Sequence, residues 1–198
     1  YSNPNGSPYF PQFANDSILL SAYNTPAVFF DIGGALDYSV SLSGGNDKAN
    51  ITGGFSRSDN KGIIPFNEGN RTTINVGGNV ELDNNFYMSG NINYVRNELT
   101  SPPTSGLYTG GASITERLLY TPPNVNAAGL PYMDANGDQV WYRPDNDNPY
   151  FLAEKAPHTS DVDRWYGFAQ LGYEVFDWLN VSYKAGFNGM SMRMLEVL

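Results

Sequence analysis

The chain contains no cysteine and a single histidine. Without cysteine there are no disulfide staples and no thiolate metal sites. Basic residues are few, 11 Lys and Arg against 20 Asp and Glu, and a formal net charge of −9 argues against a nucleic-acid partner. Charged residues of both signs make up only 16% of the chain, too few for the usual helical enzyme surface. Long apolar runs are missing as well. Mean hydropathy is −0.40, and no stretch approaches the roughly 20 apolar residues of a membrane helix. Neither methionine nor a signal peptide opens the chain, and the closing MRMLEVL carries no turn signal. The expectation is an internal piece of a longer protein.

Glycine, tyrosine and phenylalanine are plentiful instead, at 21, 14 and 11 residues, and Leu36 to Leu99 uses them in strict alternation. A strand points successive side chains to opposite faces, so such a run has one apolar and one polar face. The first expected strand, Leu36 to Gly44, sets Leu36, Tyr38, Val40 and Leu42 against Asp37, Ser39, Ser41 and Ser43. The second, Lys48 to Arg57, aligns Ala49, Ile51, Gly53 and Phe55. The third, Arg71 to Leu82, aligns Ile74, Val76, Gly78, Val80 and Leu82, and the fourth, Phe86 to Asn97, aligns Phe86, Met88, Gly90, Ile92 and Tyr94. Gly45-Asn46-Asp47 and Asp83-Asn84-Asn85 read as tight turns, because Gly and Asn tolerate positive φ. Ser58 to Asn70 reads as a longer loop. Residues 1–35 read as an entry segment with a short helix around Ser17 to Ala22.

The rhythm breaks over residues 100–161. Ala112 to Tyr120 looks helical, with Ser113 as cap and Glu116 three residues on. Pro122-Pro123 stops it, Asn136-Gly137 reads as a small hairpin, and Asp145 to Pro149 as a turn cluster. Alternation returns within residues 162–198. Trp165, Gly167, Ala169, Leu171, Tyr173 and Val175 line one face of a strand over Arg164 to Val175. Phe176-Asp177-Trp178 turns the chain, and Leu179, Val181, Tyr183, Ala185 and Phe187 line the last strand, Leu179 to Gly189.

A soluble β-sandwich or barrel would bury the apolar face; a membrane barrel would turn it to lipid. Four features favour the membrane barrel. The strands run about 10 to 12 residues, where globular strands average 5 or 6 and tilted membrane strands need about 9 to 11. Short turns alternate with long loops, as in outer-membrane barrels. Aromatic residues gather at strand ends, as interfacial girdles require. Asp37, Glu81, Glu174 and Lys184 fall on the polar face, while Arg57 and Arg96 share the apolar parity only at the long-loop end, where an arginine can snorkel. The reading is all-β: an antiparallel transmembrane β-barrel segment of about six strands belonging to a larger barrel. Its lipid-facing or girdle residues are Tyr38, Val40, Phe55, Ile74, Val76, Phe86, Ile92, Tyr94, Trp165, Leu171, Tyr173, Trp178, Val181, Tyr183 and Phe187. The small Ser/Asn/Thr/Gly face leans toward a wide barrel.

The run SVSLSGGNDKANITGGFSRSDNKGIIPFNEGNRTTINVGGNVEL resembles the early barrel of SusC-like TonB-dependent transporters from Bacteroidetes outer membranes. The resemblance rests on Ser43 to Lys48, on Phe55 and on Lys61 to Arg71. ITERLLYTPPNV, NPYFLAEKAPHTSDVDRWYG and DWLNVSYKAGFN extend it, in the family's order, over most of Asp31 to Asn188. It implies a barrel of about 22 strands that imports glycan or peptide oligomers with TonB-transmitted energy. It also implies a SusD-like surface lipoprotein as lid, outer-membrane lipid and the rest of the same barrel as surroundings, and residence in a Gram-negative outer membrane. The family's TonB box, plug domain and closing C-terminal aromatic strand have no counterpart on these residues.

No catalytic constellation stands out, and neither an enzymatic role nor a cofactor is expected. His158 has only loop carboxylates nearby in sequence. Asp134, Asn136 and Asp138 resemble the start of a calcium loop, but Asp145 stands where that loop needs glutamate, and a plain hairpin fits better. The Gly-Gly pairs at 44–45, 53–54, 77–78 and 110–111 lack the Lys-Ser/Thr of a phosphate loop and suit a closely approached wall. Candidates for ligand or partner contact are Tyr108, Tyr132, Trp141, Tyr142, Tyr150 and Phe151, with Tyr120 beside them, although such residues also pack loops internally. Three functions remain open: the importer, a non-transporting outer-membrane barrel subunit for adhesion or assembly, and a soluble carbohydrate-binding β-sandwich.

Overall fold

A computed structural model describes residues 22–103 and 113–196. Six strands form a single antiparallel sheet in simple chain order: β1 (Gly34–Gly45), β2 (Ala49–Lys61), β3 (Glu68–Glu81), β4 (Phe86–Ser101), β5 (His158–Phe176) and β6 (Leu179–Glu196). Every strand pairs with its sequence neighbour, and β1 and β6 leave the two sheet edges open among the described residues. Three short helices accompany the sheet: α1 (Thr25–Phe29), α2 (Ile114–Tyr120) and α3 (Pro149–Lys155). The helix expected around Ser17 to Ala22 lies outside the described residues except for Ala22, which is not helical.

The strands follow the alternation and then outrun it. β5 begins at His158, not Arg164, and β6 continues past Gly189 to Glu196. Nearly all the extra length of β5 and β6 lies at the long-loop end, where most apolar residues change faces, so a period of two on one face no longer marks the strand.

The two short turns close by different means. Asn85 adopts φ of 64°, as its short polar side chain permits, and Leu82 donates to the Phe86 carbonyl at 2.7 Å. At the other turn neither Gly45 nor Asn46 has positive φ. The Asn46 side-chain oxygen instead accepts from the Lys48 and Ala49 amides at 3.0 and 2.8 Å. Gly45 is needed for space, since a Cβ there would strike the Ala49 carbonyl. Between β5 and β6 a bulge at Val175 brings Phe176 opposite Leu179, and Phe176 stacks on Trp178 at 5.5 Å.

The buried core is not under the sheet. It is a small cluster of Phe29, Ile114, Leu118, Leu152 and Ala153, joined by Ile64, Tyr150 and Ala156. Its helices are capped as their sequences require. Ser113 accepts from the Glu116 amide at 3.5 Å, and Asn148, followed by Pro149 at the first helical position, accepts from the Tyr150 amide at 2.9 Å.

Candidate functional site

Register turns the alternation of single strands into rows across the whole sheet. Val40, Phe55, Ile74, Tyr94 and Trp165 stand in one row, and Leu42, Gly53, Val76, Ile92, Gly167 and Phe187 in the next. Further toward the short turns come Ala49, Val80, Met88, Leu171 and Tyr183, then Phe86, Tyr173 and Val181. These residues share one face, and nothing among the described residues covers it. Val76 is 52% exposed and Tyr183 75% exposed. A soluble sandwich would place a second sheet here, and the described residues supply none.

Both margins of this face are aromatic. Phe86 packs on Tyr173 at 4.4 Å near the short turns, where Trp178 is also exposed. Tyr94 stacks on Trp165 at 5.8 Å at the opposite margin, and Tyr38 lies 6.3 Å from Phe55. Beyond this second margin the same face turns charged. Arg57 and Arg96 stand one row out, and each bridges the carboxylate two residues on, Asp59 at 2.8 Å and Glu98 at 2.7 Å. Tyr94 donates its hydroxyl to Asp163 at 2.5 Å.

At that level the two faces exchange character. Beyond Tyr94, Val95 and Leu99 of β4, Val162 of β5, and Met190, Met192 and Met194 of β6 lie on the face that is polar below, while Leu195 of β6 keeps the other parity. Val95 is 6% exposed, and Pro102 and Pro103 beside this strand end are buried.

The polar face below that level is a carpet of small groups. Ser41, Gly54, Asn75 and Asn93 make one row and Ser43, Thr52, Gly77 and Asn91 another. β5 and β6 depart from it with Tyr166, Phe168, Arg164 and Lys184. The Lys184 ammonium lies 3.7 Å from the Phe168 ring centroid, and the Arg164 guanidinium 5.2 Å from that of Tyr166. Composition and alternation identified Lys184 as polar-face but gave no reason to single out either cation; only the register reveals their setting.

The loop aromatics pack chiefly on one another and on the helices. Tyr132 stacks on Tyr150 at 6.1 Å, and Tyr150 meets Phe29 at 4.8 Å. Trp141 meets Tyr142 edge-on at 5.0 Å. Phe151 is half-buried on α3, Tyr120 is exposed at the end of α2, and Tyr108 lies outside the described residues. Tyr132 donates to Glu154 at 2.6 Å. That bond raises the Tyr132 pKa above its ordinary value and, together with Lys155, lowers that of Glu154. The residue that organises this region is one the sequence reading overlooked. Asn148 is fully buried, its side-chain amide donates to the Val140 carbonyl at 3.0 Å, and its backbone amide donates to Gln139 Oε1 at 2.8 Å. Its signal was the Asn-Pro step that opens α3, read above only as a turn.

Asp134 holds the small hairpin together. Its carboxylate accepts from the Asn136 and Asp138 amides at 2.8 and 2.9 Å, which lowers its pKa, and Met133 bridges Gln139. His158 pairs with Ser101 in the β4–β5 ladder. Among the described residues no group of three or more His, Asp or Glu is arranged to hold a metal ion.

No family model matches the sequence, and no curated protein matches it. Among solved structures, the chain is similar to one in the RagAB peptide importer in its open-open state, with a TM-score of 0.68 and 16% sequence identity. The match covers 87% of this chain but only 19% of that one, so the likeness is one of fold and extends over a minor part of a much longer polypeptide.

Proposed function

We propose that these strands form part of the wall of a large outer-membrane β-barrel, and that the barrel is a SusC-like TonB-dependent importer of peptide or glycan oligomers. The observation that carries the barrel reading is the bare apolar face, continuous across six strands and bounded by aromatics at both margins. Its height suits a bilayer. At about 3.4 Å per residue and a tilt near 45°, the run from Phe86 to Tyr94 rises roughly 20 Å, and the side chains at its ends extend it toward the ~25 Å apolar band of such barrels. The arginines sit just outside it, each neutralised by a carboxylate one row further out. An open sheet edge is not viable in lipid, so β1 and β6 must pair with further strands of the same barrel.

The importer reading adds two supports: the polar inner face, too small in its side chains to fill a narrow barrel, and the fold shared with a peptide importer. In this reading the short turns lie in the periplasm. The loop between β4 and β5 stands outside the cell, where a SusD-like lipoprotein lid would meet it, and TonB acts through other parts of the polypeptide. No enzymatic activity is assigned. The test uses the uninterrupted natural protein. It should fractionate with the outer membrane, extract only with detergent and migrate heat-modifiably on gels, and oligomer uptake should stop when the TonB system is deleted. Extraction without detergent would overturn the barrel; uptake that survives loss of TonB would overturn the importer.

A further inference from the structure

Two pairs of cations on the sheet stand in different settings. On the apolar face Arg57 and Arg96 are each bridged to a carboxylate two residues away on the same strand. On the polar face Lys184 and Arg164 have none. Lys184 is opposite Gln170 and flanked along β6 by Ser182 and Gly186; Arg164 is opposite Val95 and Met190 and flanked along β5 by Val162 and Tyr166. Among the described residues neither cation has a carboxylate within 4.0 Å. Arg164 spends a donor on Asn188 at 3.0 Å, and both cations lie against rings of β5 instead. In the rows between Lys184 and Arg164 every other side chain of this face is uncharged. Although the chain's net charge is −9, its described acids all lie outside these rows.

Resting on the importer reading above, we propose that this strip, Lys184–Phe168–Tyr166–Arg164, selects oligomers that carry carboxylates. Its four side chains succeed one another along β5 and β6 over roughly 20 Å, at about 3.4 Å per residue. That length accommodates several residues of an extended oligomer. The ring contacts hold both cations down on the wall, so their charge is displayed without an ion pair to cancel it. A low-dielectric wall strengthens the field of unpaired charges and concentrates ions of opposite sign, and basic side chains line anion-selective pores for this reason. The hydroxyls and amides of β1 to β4 are neutral hydrogen-bonding partners for the rest of a passing chain.

The test measures uptake by cells expressing the full-length protein. The probes are a labelled Glu-Ala repeat peptide and its Gln-Ala counterpart, with an oligogalacturonate and a neutral malto-oligomer as a second pair. The expected result is an acidic-to-neutral uptake ratio of roughly 10 at low ionic strength, shrinking with added salt. The ratio should fall toward one in K184Q/R164Q and persist in K184R/R164K, which keeps the charges. A preference within the peptide pair or the glycan pair identifies which carboxylate source the strip admits. An equal ratio in wild type and K184Q/R164Q overturns the proposal. So does a K184Q/R164Q variant that lowers the melting temperature of the barrel and leaves the ratio intact, because the cations then pair with carboxylates of another strand or an interior segment. Failure of wild type to take up any probe overturns the importer reading itself, and the strip with it.

Discussion

Tyr94 and Trp165 face each other directly across β4 and β5, with ring centroids 5.8 Å apart and planes 29° from parallel. One row beyond them stand Arg96 and Asp163, and the Tyr94 hydroxyl reaches Asp163. The pair therefore sits where the apolar face ends and the charged belt begins. Aromatic rings with one polar edge prefer such a boundary. If these strands are part of a membrane barrel as proposed, Trp165→Ala should lower its stability in lipid vesicles by about 1–3 kcal/mol. Tyr94→Phe, which keeps the stack and loses one hydrogen bond, should cost about 1 kcal/mol. Urea unfolding in vesicles measures both.

Neighbouring residues of β3 provide the sharpest contrast between the faces. Val76→Arg puts a cation in the middle of the apolar face, where lipid would impose about 2–4 kcal/mol, and should block membrane assembly. Asn75→Arg puts the same side chain on the polar face and should assemble at close to the normal level. The heat-modifiable band in outer-membrane fractions reads the outcome, and equal tolerance at both sites would contradict the orientation.

Gly167 leaves no space for a side chain. A Cβ there would run into the Asn91 carbonyl oxygen and come within 3.1 Å of the Ile92 Cα, both backbone atoms of the paired strand. Gly167→Ala should push β4 and β5 apart and destabilise the sheet by about 1–3 kcal/mol. Gly34→Ala meets nothing within 4 Å and should be nearly neutral. The same urea titration separates the two.

The loop between β4 and β5 should respond to Asn148 independently of the barrel. Asn148→Ala removes the α3 cap and the bond to the Val140 carbonyl, together worth about 2–4 kcal/mol of loop stability. Hydrogen exchange between residues 121 and 156 should rise, while heat-modifiable migration stays as in the wild type.

The Tyr132–Glu154 bond confers a pH window on that loop. Glu154 is held below its ordinary pKa near 4.5, so its contribution is present above that value and fades as pH falls through the lowered one. Tyr132 is held above its ordinary 10.0, so its contribution is present below 10.0 and fades as pH rises through the raised value. Exchange protection around α3 should be flat between about pH 5 and 9 and decline on either side. Tyr132→Phe should flatten the acid limb attributable to Glu154; an unchanged acid limb would remove the bond from the account.

Val40, Phe55, Ile74, Val76, Ile92, Leu171, Val181 and Phe187 could be assigned to one face from the sequence because a strand alternates with a period of two, a property of residues only two positions apart. The helix capped by Ser113 and the hairpin at Asn136-Gly137 were legible for the same reason, since caps and turns act over three or four residues. The full length of β5 and β6 was not. Beyond Tyr94 and Trp165 the apolar residues pass to the other face, so Val162, Met190, Met192 and Met194 break the very pattern that would have announced a strand. That the loop aromatics could pack internally was legible in the sequence, but not which of them meet, because Tyr132, Tyr150 and Phe29 come together only through contacts between distant segments.

The sequence alone determined that six amphipathic strands form and which side chains share a face, because both follow from local alternation and short turns. Tertiary structure decided the rest. Strand pairing aligns the apolar rows into one bare surface with a charged rim and leaves Lys184 and Arg164 without a carboxylate partner among the described residues, and helix packing brings Phe29, Ile114 and Leu152 into a core. Those outcomes depend on register and on contacts between residues far apart in the chain, which no window of sequence contains.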